Sequence, residues 1–312
     1  MLWFLLASVL APVIAKEPVY ELSGQVETDA PASVSIYGAT TPFSEATLSD
    51  HAGHFRFRKL MAGAYTLAVF VPGRGEARTT VEVGPGTADS ARRVTVVLKL
   101  KDSDFVFSDL VRRHAVSTRE LAIPDQAQRE YERARKELAR RDVEAAKAHL
   151  EKAVEIAPHF ETAWNNLGTI AYQTQKFDRA EECFRRALRE KPDAYEPLVN
   201  LGGVLVTVHK LDEAKEYNQH AVLRRPNDAL ANSQLGMTYF ELGQLELGQK
   251  YLERARQIDP AHFSHPQLIL AEIHMRKNEH GRAADDLEDF LAHHPDWPGA
   301  PQMRERIAKL RS

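Results

Sequence analysis

Two hydrophobic rhythms divide the chain. From about Pro18 to Leu100, apolar residues alternate with polar ones in short runs broken by Gly, Pro, Asp and Ser; from about Asp125 onward they recur at three- and four-residue steps. The first rhythm is that of strands with one buried face, the second that of amphipathic helices. Val34 and Ile36 alternate with Ser33 and Ser35, Phe55 and Phe57 with His54, Arg56 and Arg58, and Tyr65, Leu67 and Val69 continue the beat. Val81 and Val83, then Val94, Val96 and Leu98, supply the last two strands on either side of Gly84-Pro85-Gly86. The spacing predicts an all-β sandwich of about seven strands over 18–100.

In the helical part, Trp164, Leu167, Ile170 and Ala171 form one apolar face, and Ala180, Phe184, Ala187 and Leu188 form a second before Pro192 stops the helix. Gly168, Ala180 and Ala187 fall where two antiparallel helices must approach to roughly 8–10 Å. A single hairpin of this kind leaves an apolar face uncovered and needs stacked neighbours. The neighbours are present: Pro158, Pro192, Pro226, Pro260 and Pro295 stand 34, 34, 34 and 35 residues apart, which predicts five hairpins at about 127–160, 161–194, 195–228, 229–262 and 263–297. In the first hairpin Glu130 and Arg133 stand where Trp164 and Leu167 stand in the second, which reads as the exposed end of a stack. Asn218 replaces the large apolar residue of the third, Gly248 the alanine of the fourth, and the fifth carries an extra residue near His262 to Pro266. Met303, Ile307 and Leu310 then form a stripe on a capping helix over 298–312.

Trp164, Leu167 and Gly168 followed by Ala180, Phe184, Ala187 and Pro192 match the W-x2-L-G…A-x3-F…P pattern, and the helical part resembles the tetratricopeptide repeat family. The run from Gly53-His54-Phe55-Arg56-Phe57 through Leu60, Gly63 and Tyr65 to Leu67, with Ser23-Gly24-Gln25-Val26 before it, resembles the core of carboxypeptidase regulatory-like, prealbumin-like domains. The resemblances imply a multidomain β + α chain: a non-catalytic β-sandwich at 18–100, a linker at 101–124, an all-α superhelix at 125–297 and the cap. Some relatives of the β module bind carbohydrate, but Phe55, Phe57 and Tyr65 sit at inward-alternating positions that favour core packing, while Tyr37 and Phe43 are less constrained. Phe105-Val106-Phe107 and Leu110-Val111 would be costly to expose together, so the linker is expected to pack against one neighbour.

Composition narrows the function. The 312 residues carry a formal net charge of −3, with acids and bases interleaved, which gives no basic face for nucleic acid. Met1 to Ala15 is apolar throughout and too short to span a bilayer comfortably, so it reads as a secretory signal peptide cleaved after Ala15, with a periplasmic or secreted mature protein; an uncleaved membrane anchor is the alternative. Cys183, the one cysteine, lies beside Phe184 on a repeat helix with no positioned base, which favours packing. No catalytic residue, cofactor or metal site is expected. The pairs His262/His265, His293/His294 and His51/His54 lack H-E-x-x-H or companion cysteines and read as surface-loop histidines, and the glycines around Gly73 and Gly84 read as turns.

Stacked hairpins curve into a superhelix whose inner groove is lined mainly by the first helix of each repeat. The residues before each Leu-Gly pair point into that groove in the family the repeats resemble, and here they are Asn166, Asn200 and Gln234. A row of amides offers donors and acceptors to the backbone of an extended peptide without reading its side chains. Asn165, Thr169, Tyr172 and Gln173, then Val199 and Thr207, then Ser233, Met237 and Phe240, are expected to complete the floor and walls. The other reading of Asn166 and Asn200 is as solvated consensus residues with no ligand. The favoured function is an exported, non-enzymatic scaffold for protein or extended-peptide partners; the rival is an envelope or carbohydrate-binding module that reads its ligand through the β-sandwich, with the repeats as a spacer.

Overall fold

The computed structural model describes residues 17–28, 31–106 and 123–312. The leader with Ala15, and Phe107 and Leu110-Val111 of the linker, lie outside these residues.

Among the described residues, the N-terminal part forms strands in two sheets: β1 (Tyr20–Val26), β2 (Ser33–Gly38), β3 (Ser44–Leu48), β4 (His54–Leu60), β5 (Gly63–Val71), β6 (Gly75–Val83) and β7 (Arg93–Leu98). One sheet has the order β4-β1-β7 and the other β3-β2-β5-β6. In the first, β1 runs antiparallel to β4 and parallel to β7. The inward residues of both sheets, among them Leu22, Val34, Ile36, Phe55, Phe57, Tyr65, Leu67 and Val94, share one core. That leaves the small and polar alternate positions of the four-stranded sheet facing outward. Its register lines up Tyr37, Thr66 and Thr80 in one row, and Ser35, Ala68 and Arg78 in the next. Phe105 and Val106 close the module: Val106 exchanges backbone hydrogen bonds with Glu76, and the Arg74 guanidinium lies 4.2 Å from the centre of the Phe105 ring.

Eleven helices follow among the described residues. They pair as α1 (Asp125–Ala139) with α2 (Val143–Ile156), α3 (Glu161–Gln173) with α4 (Phe177–Glu190), α5 (Tyr195–Thr207) with α6 (Leu211–Arg224), α7 (Ala229–Glu241) with α8 (Leu245–Ile258), and α9 (Pro266–Arg276) with α10 (His280–His293), before α11 (Ala300–Arg311). Each hairpin turn holds one left-handed residue: Arg141, Gln175, His209, Gly243 and Asn278. Only one of the five is glycine, so the turn is imposed by the packing of its two helices. Close approach explains the small residues. A Cβ on Gly168 would stand 2.5 Å from the Phe184 ring, and one on Gly202 would fall on the Asn218 side chain. Asn218 thus takes the place of Phe184 in the next repeat; fully buried, it donates to the Thr238 hydroxyl at 3.0 Å.

One feature differs from the sequence reading. Glu130 is buried, 8% exposed, because the His149 ring 2.6 Å away and the Arg133 guanidinium supply the polar partners a buried carboxylate needs. The extra residue of the fifth repeat becomes an additional turn, His265 N–H donating to the His262 carbonyl, with His265 left-handed at φ 51° just before Pro266 begins α9.

Candidate functional site

The repeat helices and the outer face of the four-stranded sheet enclose a chamber of about 1640 Å³. Ser35, Tyr37, Thr66, Arg78 and Thr80 line it from the sheet; Asn165, Asn166, Thr169, Tyr172, Gln173, Asn200, Thr207, Gln234 and Met237 line it from the helices. Nine of the twelve residues named from the sequence line this chamber, and three stand elsewhere. Val199 is 2% exposed and packs with Tyr195, Leu198, Ala221 and Ala231. Ser233 is fully buried and accepts a hydrogen bond from the Ser264 hydroxyl at 2.7 Å. Phe240 packs on Leu252, Leu270 and Ile273 beneath the Arg276 guanidinium. The cause is helical rotation: each residue is displaced by about 100° from its neighbour, so Val199 and Ser233, next to Asn200 and Gln234, turn into the seams between helices.

Within the chamber the amides are already connected. Asn166 Nδ2 donates to the Tyr131 hydroxyl at 3.2 Å, and Asn200 Nδ2 donates to Asn165 Oδ1 at 3.1 Å. Gln234 Oε1 is buried without a partner, its side chain lying against Gly203. Tyr172 and Thr207, one repeat apart, join their hydroxyls at 3.3 Å.

Around the chamber the β module is fastened to the array, a contact no local sequence pattern signals. At the front, Gln173 Nε2 donates to the Gly38 carbonyl at 3.0 Å, and Arg141 covers the Phe43 ring and donates to the Tyr65 hydroxyl. In the middle, Arg78 reaches Glu196 at 3.0 Å, and Arg225 meets the same carboxylate at 3.3 Å. Burial opposes both charges most strongly, but Arg78 and Arg225 outweigh it at Glu196, whose carboxyl is held below its usual range; Glu76 and Glu196 likewise hold Arg78 well above its own.

The rear contacts are the tightest in polar terms. Asp259 Oδ2 accepts the Thr80 backbone N–H at 2.8 Å, capping a donor on the free edge of β6. His294 Nδ1 lies 2.9 Å from Glu82 Oε1, and its Nε2 lies 3.4 Å from His265 Nδ1. The Gly86 N–H donates to both oxygens of Asp296, at 2.7 and 3.0 Å, and a Cβ on Gly84 would strike the same carboxylate. His262 and His294 are 5% and 3% exposed, which corrects their reading as surface-loop histidines. Burial pushes the Asp259 carboxyl up to about 6 and His262 down to about 4; burial and then the neighbouring His294 push His265 down to about 4. Among the described residues, no three His, Cys, Asp or Glu side chains are grouped to hold a metal ion. Cys183 is fully buried, and burial raises its thiol to about 11, which suppresses the thiolate.

A family model for the middle TPR-like domain of cilia and flagella-associated protein 70 matches residues 129–259. Over those residues the helical part is similar to a tetratricopeptide-repeat array. Solved structures resemble the array in the same way. PilW, a widely conserved type IV pilus biogenesis factor, is 25% identical with a TM-score of 0.53, over 59% of this chain and 85% of PilW. MamA from Desulfovibrio magneticus RS-1 is 22% identical with a TM-score of 0.50, over 57% of this chain and 99% of MamA. No curated protein matches the sequence. Among the described residues, no helix of the array is long and apolar enough to cross a membrane.

Proposed function

We propose that the chain is an exported, non-enzymatic interaction scaffold whose tetratricopeptide array takes an extended peptide segment of a protein partner along the amide row Asn166, Asn200 and Gln234. The observation that carries this reading is the common position of the three amides: successive repeats bring them to one chamber, where Asn166 and Asn200 each have a defined neighbour. Side-chain amides complement a peptide backbone, which presents one donor and one acceptor per residue. The β module, in its resemblance to carboxypeptidase regulatory-like domains, serves as a non-catalytic wall and spacer. A carbohydrate site on that module has less support, because Phe55, Phe57 and Tyr65 are all core residues.

A photo-crosslinking side chain at position 200 tests this reading. It is expected to attach to one extended segment of a partner, while the same group at Leu223, 79% exposed on α6, does not. Attachment from Leu223 alone would contradict it.

A further inference from the structure

The repeat groove is roofed by the outer face of the four-stranded sheet, so any chain lying along the amide row also lies against that sheet. We infer that the sheet is the second wall of the ligand site and that the ligand is an uncharged, polar peptide in extended conformation, held between the two domains; this rests on the peptide reading above.

Three observations point to that chemistry. The lining carries eight basic and eight acidic side chains, several already paired, such as Arg78 with Glu196 and Arg135 with Glu132. A polyanion or polycation would meet as much repulsion as attraction there. Beside apolar residues such as Phe177 and Met237, the uncharged polar part of the lining is built from hydroxyls and amides: Ser35, Tyr37 and Thr66 on the sheet, Asn166, Asn200 and Gln234 opposite. Asn166 and Asn200 each commit one N–H within the protein, and among the described residues no donor reaches their carbonyl oxygens, so the helical wall offers acceptors one repeat apart, while the Gln234 oxygen is buried beneath its surface. Backbone N–H groups of an extended strand suit such a row, since every second one points to the same edge.

The third observation weighs against a sugar. A glycan site presents open aromatic faces, but Tyr131 tilts against Phe160 and Tyr172 meets Phe177. Of the two exposed aromatics in the lining, Tyr172, 40% exposed, has Phe177 beside it, and Tyr37, 44% exposed on the sheet, has no ring neighbour among the described residues. Gly203 is part of the same construction. A Cβ there would stand 2.4 Å from Gln234 Nε2, so the glycine is what lets the third amide lie flat along the groove.

The test uses the full chain and a solution library of short peptides acetylated and amidated at their ends, with retained peptides identified by mass spectrometry. Uncharged Ser-, Thr-, Asn- and Gly-rich sequences are expected to be enriched. Their affinity should fall by about tenfold or more in Ser35→Trp, which fills the chamber from an outward-facing sheet position, and in the Asn166→Ala, Asn200→Ala pair. Tyr37→Ala, which only removes atoms, provides a second sheet-wall variant should Ser35→Trp melt early; it too should weaken binding. Loss in the amide pair with sheet-wall variants within about twofold of wild type overturns the two-walled site and leaves the groove reading standing. Unchanged affinity in the amide pair overturns the groove reading itself. Enrichment of charged peptides, of none, or retention of neutral oligosaccharides in their place also overturns the inference.

Discussion

Asn200 and His294 project from the same array towards the same β module, yet they meet it in opposite ways. Along the groove, α3, α5 and α7 leave a chamber between themselves and the sheet, bridged from Gln173 to Gly38 and from Glu196 to Arg78. At the rear, Asp259, His294 and Asp296 close directly on β6 and the turn after it. The difference is one of spare bonding capacity. The Asn166 and Asn200 oxygens face the chamber with no donor among the described residues, whereas rear side chains satisfy the edge N–H of Thr80 and the carboxylate of Glu82. One superhelix thus leaves a chamber along its middle helices and closes on its own chain at its last repeats.

The largest perturbation sharpens this division by destroying the front half alone. Phe184 is fully buried against Gly168, so Phe184→Ala should cost about 3–5 kcal/mol. Chemical denaturation checks the loss, and hydrogen exchange should show repeats two and three opening before the rear. Acid attacks the rear half instead. The His262 and His265 values, lowered to about 4, mean that their contribution is fully present above pH 6.5 and is lost as pH falls towards 4. Asp259 acts in the opposite direction: raised to about 6, its contribution is present below 3.8 and is lost as pH rises through 6. Two histidines against one acid leave a net weakening between pH 6.5 and 4, with His262 alone worth roughly 3 kcal/mol. Asp259→Asn removes the opposing term and should steepen the decline, which thermal melts across that range would show.

A smaller effect is expected from Glu82→Ala. It removes the partner of buried His294 and should cost about 1–3 kcal/mol, read as looser docking of the β module with its own core intact. The smallest runs the other way. His209 is left-handed at φ 58° in the turn between α5 and α6, so His209→Gly should stabilise the array by up to about 1 kcal/mol.

The legible parts of this molecule are those that repeat. Inward Val34 and Ile36, the hairpins ended by Pro158 to Pro295, and amides one repeat apart all follow from a period that any window of sequence displays. Val199 and Ser233 each lay one residue from a chamber-lining amide, and periodicity alone does not resolve a seam from a groove one residue away. Glu130 broke the pattern because its partner, His149, comes from another helix. The contact between domains was invisible for a stronger reason. Thr80 to Asp259, Glu82 to His294 and Gly86 to Asp296 each join residues far apart in sequence, and the outward polar positions of β6 read the same whether water or a protein surface covers them. Buried histidines near Pro260 and Pro295 follow from that contact rather than from any local motif.

The joining of the two domains around one chamber is tested most directly at the Thr80 backbone amide. It points away from β5 on an edge strand, so only the Asp259 carboxylate protects it. Hydrogen exchange at Thr80 in the full chain should be slowed by about tenfold or more relative to Asp259→Ala, with the amides of β5 unchanged between the two. Equal Thr80 exchange in both proteins, at the rate of a free edge, would contradict the docked arrangement and with it the chamber.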